Sequence, residues 1–408
     1  MQYIRFVGWL LLFPSLVFTA ACGKSGETAS SSSTSIGGGA VSKQIVTGVA
    51  AAGSPIKGTV VLKDSKGAQL GPVNTDDDGN FSFDITSLTP PFILKAVGVS
   101  GTQNYMLYSV STESGNAHIT PFSNLVLQLA AGADPTTVFG ANGSIPNTAT
   151  IDDTKLKAAV YKVKSLLAPI LIEYGITDFD PITGVYSATP DNKLDAMLDI
   201  IEIKTENSTL TITNKLDGSV IVSGNLANIE GFTIDKVKCP DKSTLTDIKE
   251  ITDRLAVLRL IMNKGDTLKT QDLEDLFIAD PNYGTSNGHT RAEDMASIIT
   301  IFGLNGTNKD GKLKSIRNVR LVNDQTANYA GRDVTKAYLI NYDFIHEGGN
   351  IVHGNNTTWA KDAATGLWKF VGDPANANIG NNNGFVSTSG GITVTPVVIL
   401  WPSLLGTP

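Results

Sequence analysis

Two spacings of apolar residues divide the chain. Period-two alternation comes first: Ile45 to Val49 and Gly53 to Leu62 read as strands joined by a Gly/Pro turn. Phe81 and Phe83 then alternate onto one face after an Asp78-Gly79 turn, and Phe92 to Val97 continues the pattern. A helical spacing follows, with Leu156, Val160, Val163, Leu167, Ile170 and Tyr174 on one face and Gly175 as the stop. Lys193 to Ile200 predicts a short helix running into Ile201, and Thr209–Thr213 and Val220–Val222 predict a hairpin turned by Asp217-Gly218. Three further helices are expected. Thr244 and Asp247 cap one with the face Ile248, Ile251, Leu255, Leu258 and Met262; a second covers Thr270 to Phe277. The third opens with a Thr290/Glu293 capping box and buries Met295, Ile298, Ile299 and Phe302. Strands over Leu313–Val322, Lys336–His346, Ile351–Lys361 and Leu367–Val371 close the pattern.

The first residues behave differently. One positive charge, Arg5, precedes an apolar stretch from Phe6 to Phe18, which is shorter than the roughly twenty residues that span a bilayer. It reads as a signal-peptide core. Thr19-Ala20-Ala21-Cys22-Gly23 resembles the lipobox of bacterial lipoproteins, with Thr19 where Leu is usual. That resemblance implies cleavage before Cys22 and a lipid on its sulfur; an ordinary secretory signal cut after Ala21 is the alternative. Gly, Ser, Thr and Ala dominate from Gly23 to Ser42, too little apolar mass to offset chain entropy, so a solvated spacer is expected. Gly23 is not the Asp that resembles an inner-membrane retention signal, which favours the outer membrane, on its periplasmic or surface face.

The expected organisation is therefore multidomain α+β. It runs as signal peptide (1–21), lipidated tether (22–43), N-terminal β-sandwich (44–111), helical and hairpin region (112–242), α+β domain (243–375) and Asn/Gly-rich tail with a terminal strand at Ile392–Leu400 (376–408). A net charge of −7 argues against nucleic acid and against an electrostatic grip on anionic lipid. Cys239 is the only cysteine besides Cys22, so with Cys22 acylated no intrachain disulfide forms and the fold rests on its cores.

Gly48, the Pro55-Ile56-Gly58-Val60 group and the Thr75, Asp78, Gly79, Phe81, Phe83 pattern resemble the carboxypeptidase regulatory-like, transthyretin-like β-sandwich over about seventy residues. That family's module is a non-catalytic accessory domain of adhesins, receptors and surface lipoproteins. Leu107 to Leu129, with His118 and Thr120-Pro121, resembles a linker that follows this module, and His118 is read as turn packing. Helices followed by long meandering strands, with Ala279 to Gly284 and Thr290 to Asp294 between the helices, resemble the nuclear-transport-factor-2-like cone. Such a cone encloses a pocket that some members use for acid–base chemistry and many only for binding.

Candidate chemistry is sparse. Tyr342 and His346 share a strand face, and with Asp343 they form the weak catalytic set of an isomerase, dehydratase or hydrolase; His353 and Trp359 are the pocket candidates. The competing structural reading has Tyr342 and Phe344 as core and His346 exposed at a hairpin end. Asn74, Asp76 and Asp78 match the first ligand positions of a calcium loop, but Ile85 stands where its bidentate Glu is required, so an acidic turn is expected. Asn308 and Asp310 are read as a turn too. His346-Glu347 begins like a zincin and fails because Asn350 replaces the second His. No cofactor is implied. The function expected is a non-catalytic, membrane-anchored binding, adhesion or scaffold protein with a protein or carbohydrate ligand.

Overall fold

The computed structural model describes residues 42–101, 103–141, 143–284, 290–302 and 312–372. The expected signal peptide, Cys22, most of the expected tether, the turn expected at Asn308 and Asp310 and the expected tail strand lie outside these residues. No helix among the described residues is long and apolar enough to cross a membrane. Both helices and sheets are present, and the fold is α+β.

The N-terminal strands form two sheets. One orders β4 (Asn80–Asp84), β1 (Ile45–Val49) and β7 (Gly115–Asn116); the other orders β3 (Gln69–Asn74), β2 (Lys57–Lys63), β5 (Phe92–Ser100) and β6 (Gln103–Ser111). Alternation decides which face is inside: Phe81 and Phe83 are buried between exposed Asn80, Ser82 and Asp84. Val46, Val60, Leu62, Ile93 and Leu94 complete that core. Gly58 and Gly98 face each other across β2 and β5, where a Cβ on Gly58 would lie 2.1 Å from the Val97 carbonyl oxygen.

The chain does not leave these sheets as a linker. Pro121–Ala131 is a helix, α1, because Thr120 and Ser123 cap it reciprocally and Pro121 supplies a preset first residue. It packs on β6 and on α3 (Asp153–Glu173). Between them, α2 (Pro135–Phe139) is tied to β2 by Lys63, whose buried ammonium donates to the carbonyls of Phe139 and Ala141. The expected face of α3 is buried from Val163 onward, while Leu156 and Val160 are half-buried. α4 (Lys193–Ile200) runs into β8 (Ile201–Glu206), which pairs with β9 (Thr209–Asn214) and then β10 (Val220–Asn225). Asn207 and Ser208 both take positive φ (47° and 63°), a two-residue turn that the sequence pattern did not reveal.

In the last part, α5 (Ser243–Met262), α6 (Thr270–Leu273) and α7 (Arg291–Phe302) precede four antiparallel strands in sequence order: β11 (Leu313–Asp324), β12 (Val334–His346), β13 (Ile351–Asp362) and β14 (Trp368–Phe370). The Thr290/Glu293 box forms as expected, with Glu293 accepting from the Thr290 N–H at 2.7 Å. Two expectations need correction. Thr244 does not cap α5; Asp241 accepts from the Ser243 N–H, and Asp247 is spent elsewhere, accepting from Lys336 at 2.5 Å and lying 3.5 Å from Lys361. The helix expected over Thr270–Phe277 stops after one turn, because Phe277 bridges to Phe370 as an extended residue.

The core is continuous, and the described residues from Ser42 onward cluster as one compact unit. A salt link crosses between its ends. Asp77 pairs with Lys57 and with Lys314 (2.6 Å), and Asp78 pairs with Arg317, so the β3–β4 turn is fastened to β11.

Candidate functional site

The inner face of β12 tests the pocket expected in the last part. Tyr342 and Phe344 lie edge to face, with ring centroids 5.5 Å apart, and the Trp359 indole N–H donates to Thr357 Oγ1 at 2.9 Å. Leu258, Leu276, Phe277, Ile298 and Phe370 close over them and leave a cavity of about 20 Å³. That is room for one water molecule. Tyr342 and Trp359 are packed core here.

The catalytic candidates are separated by the pleat. Asp343 points to the face opposite Tyr342 and His346, fully buried, accepting from Asn318 Nδ2 at 2.5 Å with Arg320 4.0 Å away. His346 is 3% exposed, so the reading that placed it in water at a hairpin end is corrected; the turn holds its backbone N–H on Asn350 and folds over it. It lines neither the small cavity nor either of the larger depressions. His353 belongs to β13 by its backbone, and its side chain lies outside the described residues.

The calcium candidates are consumed by protein groups. Asp76 accepts from the Asp78 and Asn80 N–H groups (2.9 and 2.8 Å), a self-closed acidic turn that lowers its pKa, and Asp78 belongs to the salt link. Asn74 and Asp76 border a shallow, open depression with Thr47, Ser82 and Val185. Among the described residues no cluster of His, Cys, Asp and Glu has the makings of a metal site. His118 is a structural pin: Nδ1 accepts from the Val49 N–H (3.1 Å), Nε2 donates to the Gly184 carbonyl (2.8 Å), and burial lowers its pKa.

A deeper cleft, less open than that depression, lies where the sequence offered no signal. It has a volume of about 450 Å³ and runs between Gln103–Leu107 of β6 and Ile201–Thr205 of β8, floored by Ala52, Pro121, Leu198 and Lys215. Both strands are sheet edges, and no ladder joins them. The direction of their free backbone groups follows from neighbouring bonds. Tyr108 donates its N–H to Asn124 Oδ1 and its carbonyl accepts from Ser123 Oγ, so Tyr108 points away from β5; two and four residues back, Met106 and Asn104 do the same. On β9, Asn214 sends its N–H to Ser219, away from β8, which makes Ile201–Asn214 a non-hydrogen-bonded pair. Ile203 and Thr205 therefore also turn their N–H and C=O groups outward.

An ionic layer supports the floor. Lys215 donates to the Leu198 carbonyl at 2.5 Å, and Tyr186 donates to Asp195 at 2.5 Å. Asp199 is 1% exposed and its Oδ1 has no hydrogen-bond partner; it lies against Gly53, where a Cβ would come within 2.6 Å. Burial pushes the Asp195 carboxyl up to about 7, and burial together with the Asp195 charge raises Asp199 well above the carboxylate range. Burial lowers the Lys215 ammonium. Glu202 pairs with Lys204 (2.9 Å), and the charges of Asp199, Glu202 and Asp195 act on the Lys215 ammonium. Two acids four residues apart on a short helix whose other charge is the terminal Lys193 were the one trace of this layer in the sequence.

Comparison of the chain with protein-family models, with curated proteins and with solved structures finds no significant match.

Proposed function

We propose that the protein is a lipid-tethered, non-catalytic binding protein of the bacterial envelope, anchored through Cys22 and presenting the β6–β8 cleft to its ligand. The cleft is the observation that supports this reading: at about 450 Å³ it falls in the usual range of ligand sites and lies between two free strand edges, whereas the depression of about 770 Å³ beside Asn74 and Asp76 is more open and the core around Tyr342 and Trp359 has room for one water. In this reading the N-terminal sheets act as the accessory β-sandwich of the carboxypeptidase regulatory-like kind. The last part is a cone-like α+β body with a filled interior, and the salt link at Asp77 braces the two. The spacer holds the folded unit off the membrane, and a net charge of −7 keeps it from nucleic acid and anionic lipid.

Two measurements test it. Radiolabelled palmitate is expected on the wild type and not on Cys22→Ser; equal labelling overturns the tether. Methyl spectra of Met- and Ile-labelled protein, titrated with peptide and glycan fractions of the envelope, are expected to shift at Met106, Ile201 and Ile203. Shifts confined to Ile298 and Met262 would move the site to the cone and overturn the cleft.

A further inference from the structure

We infer that the cleft takes an extended segment of a partner protein, added as a strand between β6 and β8. The inference deepens the cleft reading above and rests on it.

Both long walls of the cleft offer main-chain donors and acceptors: Asn104 and Met106 on one side, Ile203 and Thr205 on the other, by the phase argument from Tyr108 and Asn214. A small rigid ligand meets one or two such groups. An extended peptide meets them all, because its own N–H and C=O groups alternate sides with the same period. Natural edge strands are protected by proline, charge or a bulge. Gln103 to Leu107 has no proline and no charged residue, and β6 pairs with β5 in unbroken register from Ser111 to Gln103, so β6 is the unprotected wall, whereas β8 carries Glu202, Lys204 and Glu206. Beyond Leu107 the edge is closed by Asn124 and Ser123 of α1, so the unprotected stretch coincides with the cleft. Its neighbours suit a peptide with alternating apolar side chains. Ala52, Leu107, Pro121, Leu198, Ile201 and Ile203 line the space, and the cross-strand pair Val97 and Met106 is left 42% and 51% exposed on the outer sheet face.

The test uses the full chain and a randomised library of acetylated, amidated hexapeptides. Enriched peptides are expected to lose about tenfold in affinity when a backbone nitrogen that faces either wall is methylated, since each methyl removes one main-chain bond and adds a clash. Met106→Pro and Thr205→Pro are expected to abolish binding; the N–H each removes faces the cleft and not its own ladder, and unchanged far-ultraviolet dichroism verifies the fold. N-methylation alters only the peptide, so it decides the matter even where a proline variant fails to fold. Equal binding of methylated and unmethylated peptides overturns strand addition, as does a library that enriches no better on the wild type than on Met106→Pro. If envelope glycans still shift Met106 and Ile203 in that case, the cleft stands as a binding site and the strand inference alone fails.

Discussion

Asp247 is the residue through which α5 holds the last sheet, and its removal gives the largest single effect expected from a polar group in this part of the fold. Its carboxylate is 2% exposed and accepts from Lys336 at 2.5 Å and from the Tyr338 hydroxyl at 3.3 Å, with Lys361 3.5 Å away. Asp247→Ala strands the Lys336 ammonium and takes an acceptor from the buried Tyr338 hydroxyl, while Lys361 keeps Glu250 at 2.7 Å. Breaking a buried ion pair from one side costs about 3–5 kcal/mol. Here Lys336 and Lys361 keep 32% and 25% side-chain exposure, and Lys336 retains Ser243 Oγ at 2.7 Å, so part of that cost is recovered from water. A loss of about 3 kcal/mol is expected. Glu250 is the internal comparison. It holds the same Lys361 (2.7 Å) and the Trp368 indole (3.1 Å), but its side chain is 41% exposed, so Glu250→Ala should cost about 1 kcal/mol or less. Urea unfolding, followed by tryptophan fluorescence and analysed by midpoint at constant slope, separates the two. In Asp247→Ala/Lys336→Met about half of the loss should return, because one uncompensated charge is gone. Equal effects of Asp247→Ala and Glu250→Ala, or no recovery in the double variant, would refute the reasoning.

Three further outcomes follow from the same structure. Hydrogen bonds from Lys314 and Lys57 hold the Asp77 carboxyl below its ordinary value of 3.8, so the stability it contributes is complete above about pH 4 and is lost as pH falls further. Asp77→Asn should lower the midpoint at neutral pH and flatten its decline below pH 4, as urea midpoints from pH 2 to 7 will record. His118 is held neutral, with a pKa below 6.5, so the unfolded chain protonates first and stability should decline as pH drops below about 6.5; His118→Asn should lose that slope, and nitrogen chemical shifts should show Nδ1 without a proton. Trp359→Leu should destabilise by about 2–4 kcal/mol by thermal and urea unfolding, whereas a pocket-lining tryptophan would be nearly neutral.

What the sequence disclosed was local. The α7 capping box, the stripe on α5 and the long strands of the last sheet were legible, because each is set by residues within a few positions of one another. α1 was missed because Thr120, Pro121 and Ser123 resemble a turn until both caps are seen to close on each other. α6 was over-extended because Phe277 takes its backbone conformation from Phe370, far along the chain. The Asp76–Asp78 turn looked like half of a calcium loop; its charges answer Lys314 and Arg317, more than two hundred residues away. The cleft was invisible for the same reason. It is made by the edges of two sheets brought together only by the fold, and the residues that matter there contribute their backbones.

The most direct test of the cleft places a photoreactive benzoylphenylalanine at Gln103 or Thr205 in the full chain, in intact cells, with exposed Tyr161 on α3 as the control site. Irradiation should join Gln103 and Thr205 to the same partner polypeptide, and Met106→Pro should abolish both adducts while Tyr161 gives none. Adducts at Tyr161 alone, or adducts at Gln103 and Thr205 that persist in Met106→Pro, would contradict it.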